Sequence, residues 1–446
     1  MKRFVVWGIL VVVVVFTCAV QAGEKAGYID YEEYTLDNGL RVILSEDKSV
    51  PIVAVNIWYH VGSAHEEEGR SGFAHLFEHM MFEGSENVAK REHSDLIHKA
   101  GGNLNATTNE DRTLYWEILP ANQLNLALWL EADRMRALAV TSETFENQRS
   151  AVKEERLMRI DNQPYGAAFL TADTLAYDFK PYSHTVIGKM VDLDAAEVGD
   201  AQRFFETFYR PNNAVLVVVG DINKKKTKKM IEKYFGEIPR GPDIPPISGV
   251  EPAHTAERRA TIEDKNANVP AIFLNYIIPP ITHKDSPALD LLGNILTDGE
   301  SSRLHIRLVK EEQVAVVVFG GADSRKGPSL FKFIAAANVG HDIRDCERLI
   351  YEELELLKKN GISNEELEKA KIQFKSGFIM GRETAMDKAE AIQSHVFYHG
   401  DLAGLNTDLD RYMAVTREDI QRVANEYFHA KNRTVVIANP ASGEGS

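Results

Sequence analysis

Residues 72–85 read GFAHLFEHMMFEGS, with His75, Glu78 and His79 packed into five positions of an otherwise apolar run. On a helix, residues four apart lie on one face. His75 and His79 can therefore aim two imidazoles at one point. Neutral imidazole is a good zinc ligand, with Zn–N near about 2.0–2.1 Å. Glu78 is one turn from His75 and beside His79, placed to reach a water on the metal without binding the metal. Zinc lowers the pKa of bound water toward about 7, and a carboxylate can take the proton as that water attacks a carbonyl. His75 and His79 are thus candidate Zn2+ ligands and Glu78 the candidate general base. Phe73, Leu76, Phe77, Met80, Met81 and Phe82 would bury the helix and keep the site partly dry. Dryness strengthens the pull of the metal on a carbonyl oxygen.

A catalytic zinc usually takes three protein ligands and keeps one position open. The segment FENQRSAVKEERLMRI, a helix by period and propensity, offers Glu146, Glu154 and Glu155, and spacing does not choose among them. A zinc serving structure alone would favour four ligands rich in cysteine, which Glu78 argues against. His60, His65, His93, His98 and His184 lack ligand spacing relative to one another and read as surface or core residues. The run HEEEGR reads as a solvated loop.

The elements that must position this set come from an internal repeat. DAQRFFETFYRPNNAVLVVVG from Asp200 aligns with DIQRVANEYFHAKNRTVVIAN from Asp419, an offset of 219 residues. Asp200, Gln202, Arg203 and Asn213 recur as Asp419, Gln421, Arg422 and Asn432. Each copy reads as an amphipathic helix, a short turn and a buried strand. The same offset lays VAVNIWY from Val53 over IFLNYII from Ile272, both predicted strands, with Asn56 on Asn275. So long a unit implies two similar domains. YTLDNGLRVIL predicts a hairpin about Asn38-Gly39, TLYWEIL and AVLVVVG predict strands, and ANQLNLALWLEADRMRAL predicts a helix. The expected fold class is α+β: two homologous domains, each a mainly antiparallel sheet packed with helices. Expected bounds are 23–238 for the zinc-bearing domain, 239–252 for a proline-rich linker and 253–446 for the second domain. Shifting His75, Glu78 and His79 by the same offset reaches Asn294, Thr297 and Asp298. The second copy keeps the scaffold without the chemistry, so the fold does not require it.

GRSGFAHLFEHMMFEGS resembles the signature of the pitrilysin-like (inverzincin, H-x-x-E-H) zinc metallopeptidases, among them exported bacterial peptidases of the mitochondrial-processing-peptidase type. The resemblance runs through DNQPYG, FYRPNNAVLVVVGD, SSRLHIRLVKEEQVA and the C-terminal repeat. It implies an exported zinc endopeptidase acting on peptides or unfolded segments, with the third ligand 76 residues after the second histidine, at Glu155. The family often carries another glutamate seven positions earlier; here Gln148 stands there. In GGNLNATTNEDRTLYWEIL the resemblance implies an edge strand beside the zinc that pairs with an extended substrate, making Asn105 and Ala106 candidate substrate contacts. It also implies a closed chamber built from two such bodies. The body opposite the zinc often brings an arginine and a tyrosine seven positions apart on one strand, whereas SLFKFIAAANVG has Lys332 and Val339. The chain is therefore expected to be one half-shell that needs a second homologous subunit, either a non-zinc chain or its own copy. A non-catalytic structural or assembly subunit is the rival reading.

The rest of the chain is compatible. With 446 residues, 44% hydrophobic and 26% charged, it has material for sizeable cores. A formal net charge of −15 with no long basic run argues against nucleic acid as a partner. Lys2 and Arg3, the apolar stretch Phe4 to Val20 and Val20-Gln21-Ala22 predict a secretory signal over 1–22 and a periplasmic or secreted protein. An uncleaved membrane anchor is the alternative. Of the two cysteines, Cys18 and Cys346, removal of the signal leaves Cys346, expected to be half-buried, and no disulfide.

Overall fold

The computed structural model describes residues 27–441 apart from Pro245 and Ser248. The expected signal over 1–22, with Cys18 and the alternative anchor, lies outside the described residues. Among the described residues no helix is long and apolar enough to cross a membrane.

The strands are β1 (Glu32–Thr35), β2 (Arg41–Glu46), β3 (Ile52–Tyr59), β4 (Asn103–Thr108), β5 (Thr113–Pro120), β6 (Ala214–Gly220), β7 (Arg258–Asp264), β8 (Ala271–Ile278), β9 (Ala315–Asp323), β10 (Ser329–Ala337) and β11 (Arg433–Pro440). The helices of the first half are α1 (Phe73–Met80), α2 (Glu92–Lys99), α3 (Leu124–Ala137), α4 (Ser142–Arg156), α5 (Gly166–Ala176), α6 (Met190–Ala195), α7 (Val198–Phe208) and α8 (Lys224–Phe235). Those of the second are α9 (Ser286–Thr297), α10 (Ile343–Asn360), α11 (Asn364–Met380), α12 (Ala385–His399), α13 (Asp408–Met413) and α14 (Arg417–Tyr427).

The strands form two sheets, ordered β1-β2-β6-β3-β5-β4 and β7-β11-β8-β10-β9. β1 apart, each position in the first sheet has its repeat partner in the second. Each sheet is antiparallel but for one pair, β2 with β6 and β7 with β11. The expected hairpin is β1–β2, with Thr35 opposite Arg41. The register of the repeat survives into three dimensions: β3 and β8, and likewise α7 and α14, begin and end 219 residues apart.

β3 shows why its sequence is apolar without alternation. Val53, Val55, Ile57 and Tyr59 enter one core with Leu76 and Phe77 of α1 and Leu128 of α3. Ala54, on the opposite face, packs against Ala389 and Ile392 of α12. Side chains alternate between faces with period two, so a strand covered on both sides is apolar at nearly every position, Asn56 being the polar exception in β3. The second cover is exchanged between halves. α12, from the second half, lies on the first sheet, where Gln393 Nε2 donates to the carbonyls of Asn56 (2.9 Å) and Val215 (2.7 Å). α5, from the first half, lies on the second sheet, where Ala168 and Ala172 pack against Phe273 and Val436.

Residues 236–257, those described, contain no helix or strand. Cys346 differs from expectation: it is fully buried in the second core, at 0% exposure, because α10 turns it inward beside Leu349 and Ile350.

Candidate metal centre

α1 is short and starts abruptly. Its N-cap, Gly72, has φ of 87°, a left-handed conformation that a side chain disfavours. Phe73, Leu76, Phe77 and Met80 bury one side of the helix, and His75 and His79 emerge beside α4. The imidazoles lie 4.8 Å apart between ring centroids, nearly perpendicular at 79°.

α4 carries a buried stripe of Phe145, Gln148 and Val152, and the same three-four spacing brings Glu155 next onto that stripe. Glu155 Oε2 lies 3.6 Å from His75 Nε2 and 3.2 Å from His79 Nε2. One ligand atom from each of the three residues falls within 4.8 Å of the others. Glu146 pairs instead with Arg149, and Glu154 is exposed. The donor set fits a tetrahedral zinc: two ligands at their usual bond lengths stand roughly 3.3 Å apart. His75 Nδ1 is buried with no hydrogen-bond partner among the described residues.

The electrostatics keep the set ready for a cation. Burial, with His79 adjoining, pushes the His75 imidazole down to about 4, so it is neutral and free to donate its lone pair. At His79 burial acts the same way, but Glu155 and Glu78 outweigh it and the pKa rises. A hydrogen bond with His79 holds the Glu155 carboxyl below its usual range. Arg159 meets the other oxygen of Glu155 at 2.9 Å.

Glu78 is 9% exposed. Burial raises its pKa, while the Thr108 hydroxyl, donating to Oε2 at 2.5 Å, works the other way. Gln148 donates through Nε2 to Glu83 Oε1 at 2.7 Å. The neutral amide of Gln148 thus stands beside His79, tied to a carboxylate three residues past α1.

β4 is the sheet's edge, hydrogen-bonded to β5 alone. A groove of about 920 Å³ runs along it, lined by His75, Glu78 and His79 on one side and by Asn105 and Ala106 on the other. Asn105 is exposed and Ala106 buried.

Sequence reasoning missed two contributors. Thr108 shares a strand face with Ala106 by period two, a signal that was available. Glu66 overturns the reading of HEEEGR as solvated: its carboxylate is wholly buried, accepts from the backbone N–H of Gly72 (3.0 Å) and Ala74 (2.8 Å), and faces His184 Nε2 at 3.0 Å. Within that run Glu67, Glu68 and Gly69 are exposed. His93 is a core residue, 2.5 Å from Glu117 Oε1.

The chain is similar to known proteins over nearly its whole length. Residues 41–189 match the profile described as Insulinase (Peptidase family M16), and residues 196–374 that of the Peptidase M16 inactive domain. Zinc protease PqqE of Helicobacter pylori is 32% identical over 413 residues, covering 92% of this chain and 93% of that protein. The uncharacterized zinc protease YmxG of Bacillus subtilis is 24% identical over 397 residues, 89% of this chain and 95% of its own. The crystal structure of a protease from Helicobacter pylori superposes with a TM-score of 0.89 at 33% identity, over 93% of this chain and 100% of that one. A Pseudomonas fluorescens structure described as a peptidase M16 inactive domain shares the fold, with a TM-score of 0.84 at 17% identity over 94% and 100% of the two chains. With one half matching the peptidase profile, the other matching the inactive-domain profile, and nearly the whole length shared with a zinc protease, this chain belongs to peptidase family M16.

Proposed function

We propose that the protein is a zinc-dependent endopeptidase that hydrolyses peptides or unfolded protein segments. The observation that carries this reading is the convergence of His75, His79 and Glu155 from two helices at one point, with Glu78 beside them and a free strand edge along the same groove. His75, His79 and Glu155 would hold the ion. Zinc, when bound, supplies a Lewis acid that polarises the substrate carbonyl and acidifies water. Thr108 fixes one oxygen of Glu78, leaving the other to take a proton from the attacking water and pass it to the departing amine. Burial favours the protonated form that Glu78 must adopt between those transfers. The open edge of β4 would bind an extended substrate through its main chain, with Asn105 and Ala106 in contact. Such pairing tolerates varied sequences.

The boundaries 23–238, 239–252 and 253–446, export by the segment 1–22, and a second homologous subunit closing a chamber over β4 belong to the same proposal. Lys332, where the family's arginine would stand, is held by Asp173 and Asp323 at 2.8 Å each and is not free to reach a substrate.

Metal analysis and peptide cleavage of wild type and Glu78→Gln test this reading. The variant should keep its zinc and lose roughly 10²–10⁴-fold in turnover. Zinc-loaded wild type that cleaves no peptide, alone or with a homologous non-zinc subunit, would instead favour a structural subunit.

A further inference from the structure

The two helices that bear the proposed ligands pack on each other, but their geometry is also set from outside. The segment His184–Asp192 runs past the start of α1 and the end of α4 and holds both. At α1, Glu66 accepts from two N–H groups at the helix start, those of Gly72 and Ala74, and His184 Nε2 bridges Glu66 Oε2 (3.0 Å) and the Ser63 carbonyl (2.8 Å). Helix starts leave such donors unsatisfied, and a buried carboxylate there meets both the donors and the helix dipole. One turn of chain further on, Lys189 N–H donates to Ser71 Oγ at 3.0 Å, and the Ser71 hydroxyl donates to Asp192.

Between these contacts the backbones of Gly72 and Gly188 touch. A Cβ on Gly188, whose φ is +75°, would lie 2.3 Å from the Ser71 carbonyl oxygen and 2.4 Å from Gly72 Cα. A Cβ on Gly72 would lie 2.7 Å from the Ile187 carbonyl oxygen. At α4, Arg156, the neighbour of Glu155, donates to the Gly188 carbonyl and is itself steadied by Asp161 at 3.2 Å. The same glycine therefore touches α1 at its start and α4 at its ligand-bearing end.

We infer that Glu66, His184, Gly188 and Arg156 form a clasp that sets the separation of the His75/His79 helix from Glu155. They are positioning residues and touch neither metal nor substrate. The inference rests on the zinc reading given above. Partners that orient ligands from behind typically change metal affinity by about 10–100-fold when removed.

Co2+ titration of the metal-free full-length chain, followed by its visible absorption, tests the clasp against a bystander. Arg303, in the second half, is also an arginine bridging a glycine carbonyl and carboxylates, here Gly361, Glu353 and Glu366. Arg156→Ala and Glu66→Gln should each weaken Co2+ binding about 10–100-fold and alter the absorption band. The glutamine places an amide donor against one of two N–H donors. Arg303→Ala should lower the melting temperature and leave Co2+ affinity unchanged. Wild-type affinity and spectrum in Arg156→Ala and Glu66→Gln overturn the clasp, as does an equal loss in Arg303→Ala. Failure of wild type itself to take up Co2+ overturns the zinc reading, and is seen before any variant is compared.

Discussion

Helices α1 and α9 occupy equivalent places beside equivalent sheets, yet one carries the proposed chemistry and the other none. Where α1 has His75, Glu78 and His79, α9 and its cap have Asn294, Thr297 and Asp298. The Thr297 hydroxyl folds back onto the Gly293 carbonyl at 2.9 Å, and Asp298 points to solvent. Where α4 brings Glu155, α11 brings Phe374, stacked on Tyr412 with 3.6 Å between ring centroids. The second half thus puts one ring of an aromatic pair where the first half has the proposed ligand Glu155. Buried polar groups without partners cost stability. The orphaned Nδ1 of His75 burdens the first half, and so does the buried carboxyl of Glu78, which burial opposes in its charged form. The second half shows the same backbone without that burden.

Four experiments would break or sharpen this comparison. The largest effect should come from placing the second half's residue in the first. Glu155→Phe should reduce zinc from about one ion per chain to near none, since a catalytic zinc usually needs three protein ligands, and peptide cleavage should fall to background. Circular dichroism should show the metal-free fold retained. Retained zinc would mean that α4 does not supply the third ligand.

Next come matched core truncations. Leu76 and Leu292 are both fully buried, in α1 and α9. Leu76→Ala and Leu292→Ala should each cost about 2–5 kcal/mol in denaturant unfolding, but only the first should also weaken zinc binding. Equal losses of zinc would show that the halves do not differ in what their helices hold.

Chelation should then lower the stability of wild type by an amount set by mass action, about 2.7 kcal/mol where free zinc had stood at 100 times its Kd. Glu155→Phe should not respond. A response in that variant would place the metal elsewhere.

The smallest effect concerns the exchanged helix. Lys388 of α12 pairs with Asp47 at the end of β2. Burial opposes ionisation of Asp47, but Lys388 and Ser49 outweigh it and bring its pKa to about 2 from 3.8. A carboxyl depressed in the folded state adds stability above its unfolded pKa and loses it as pH falls toward the folded one. That window is pH 3.8 to about 2. Asp47→Asn should flatten the melting temperature across it and cost about 1 kcal/mol at neutral pH, the upper end of the range for ion pairs near the surface. An unchanged pH profile would remove the pair from the docking of α12.

Much of this molecule was legible in its sequence because it is local or periodic. Two histidines at helical spacing face one way whatever surrounds them, and strands such as β6, or β3 with Asn56 as its one polar residue, announce burial on both faces by apolar runs without alternation. The repeat identified the equivalent elements, because homologous sequence keeps homologous register. What the residues alone left open was set by contacts far apart in the chain. The choice of Glu155 over Glu146 and Glu154 follows from which face of α4 packs on α1. The burial of Glu66 in a charged run follows from two unsatisfied N–H groups and a histidine more than a hundred residues away. The exchange of α5 and α12 between halves follows from two sheets that each need a second cover. Local patterns determine which residues share a face, but only packing in three dimensions determines which faces meet.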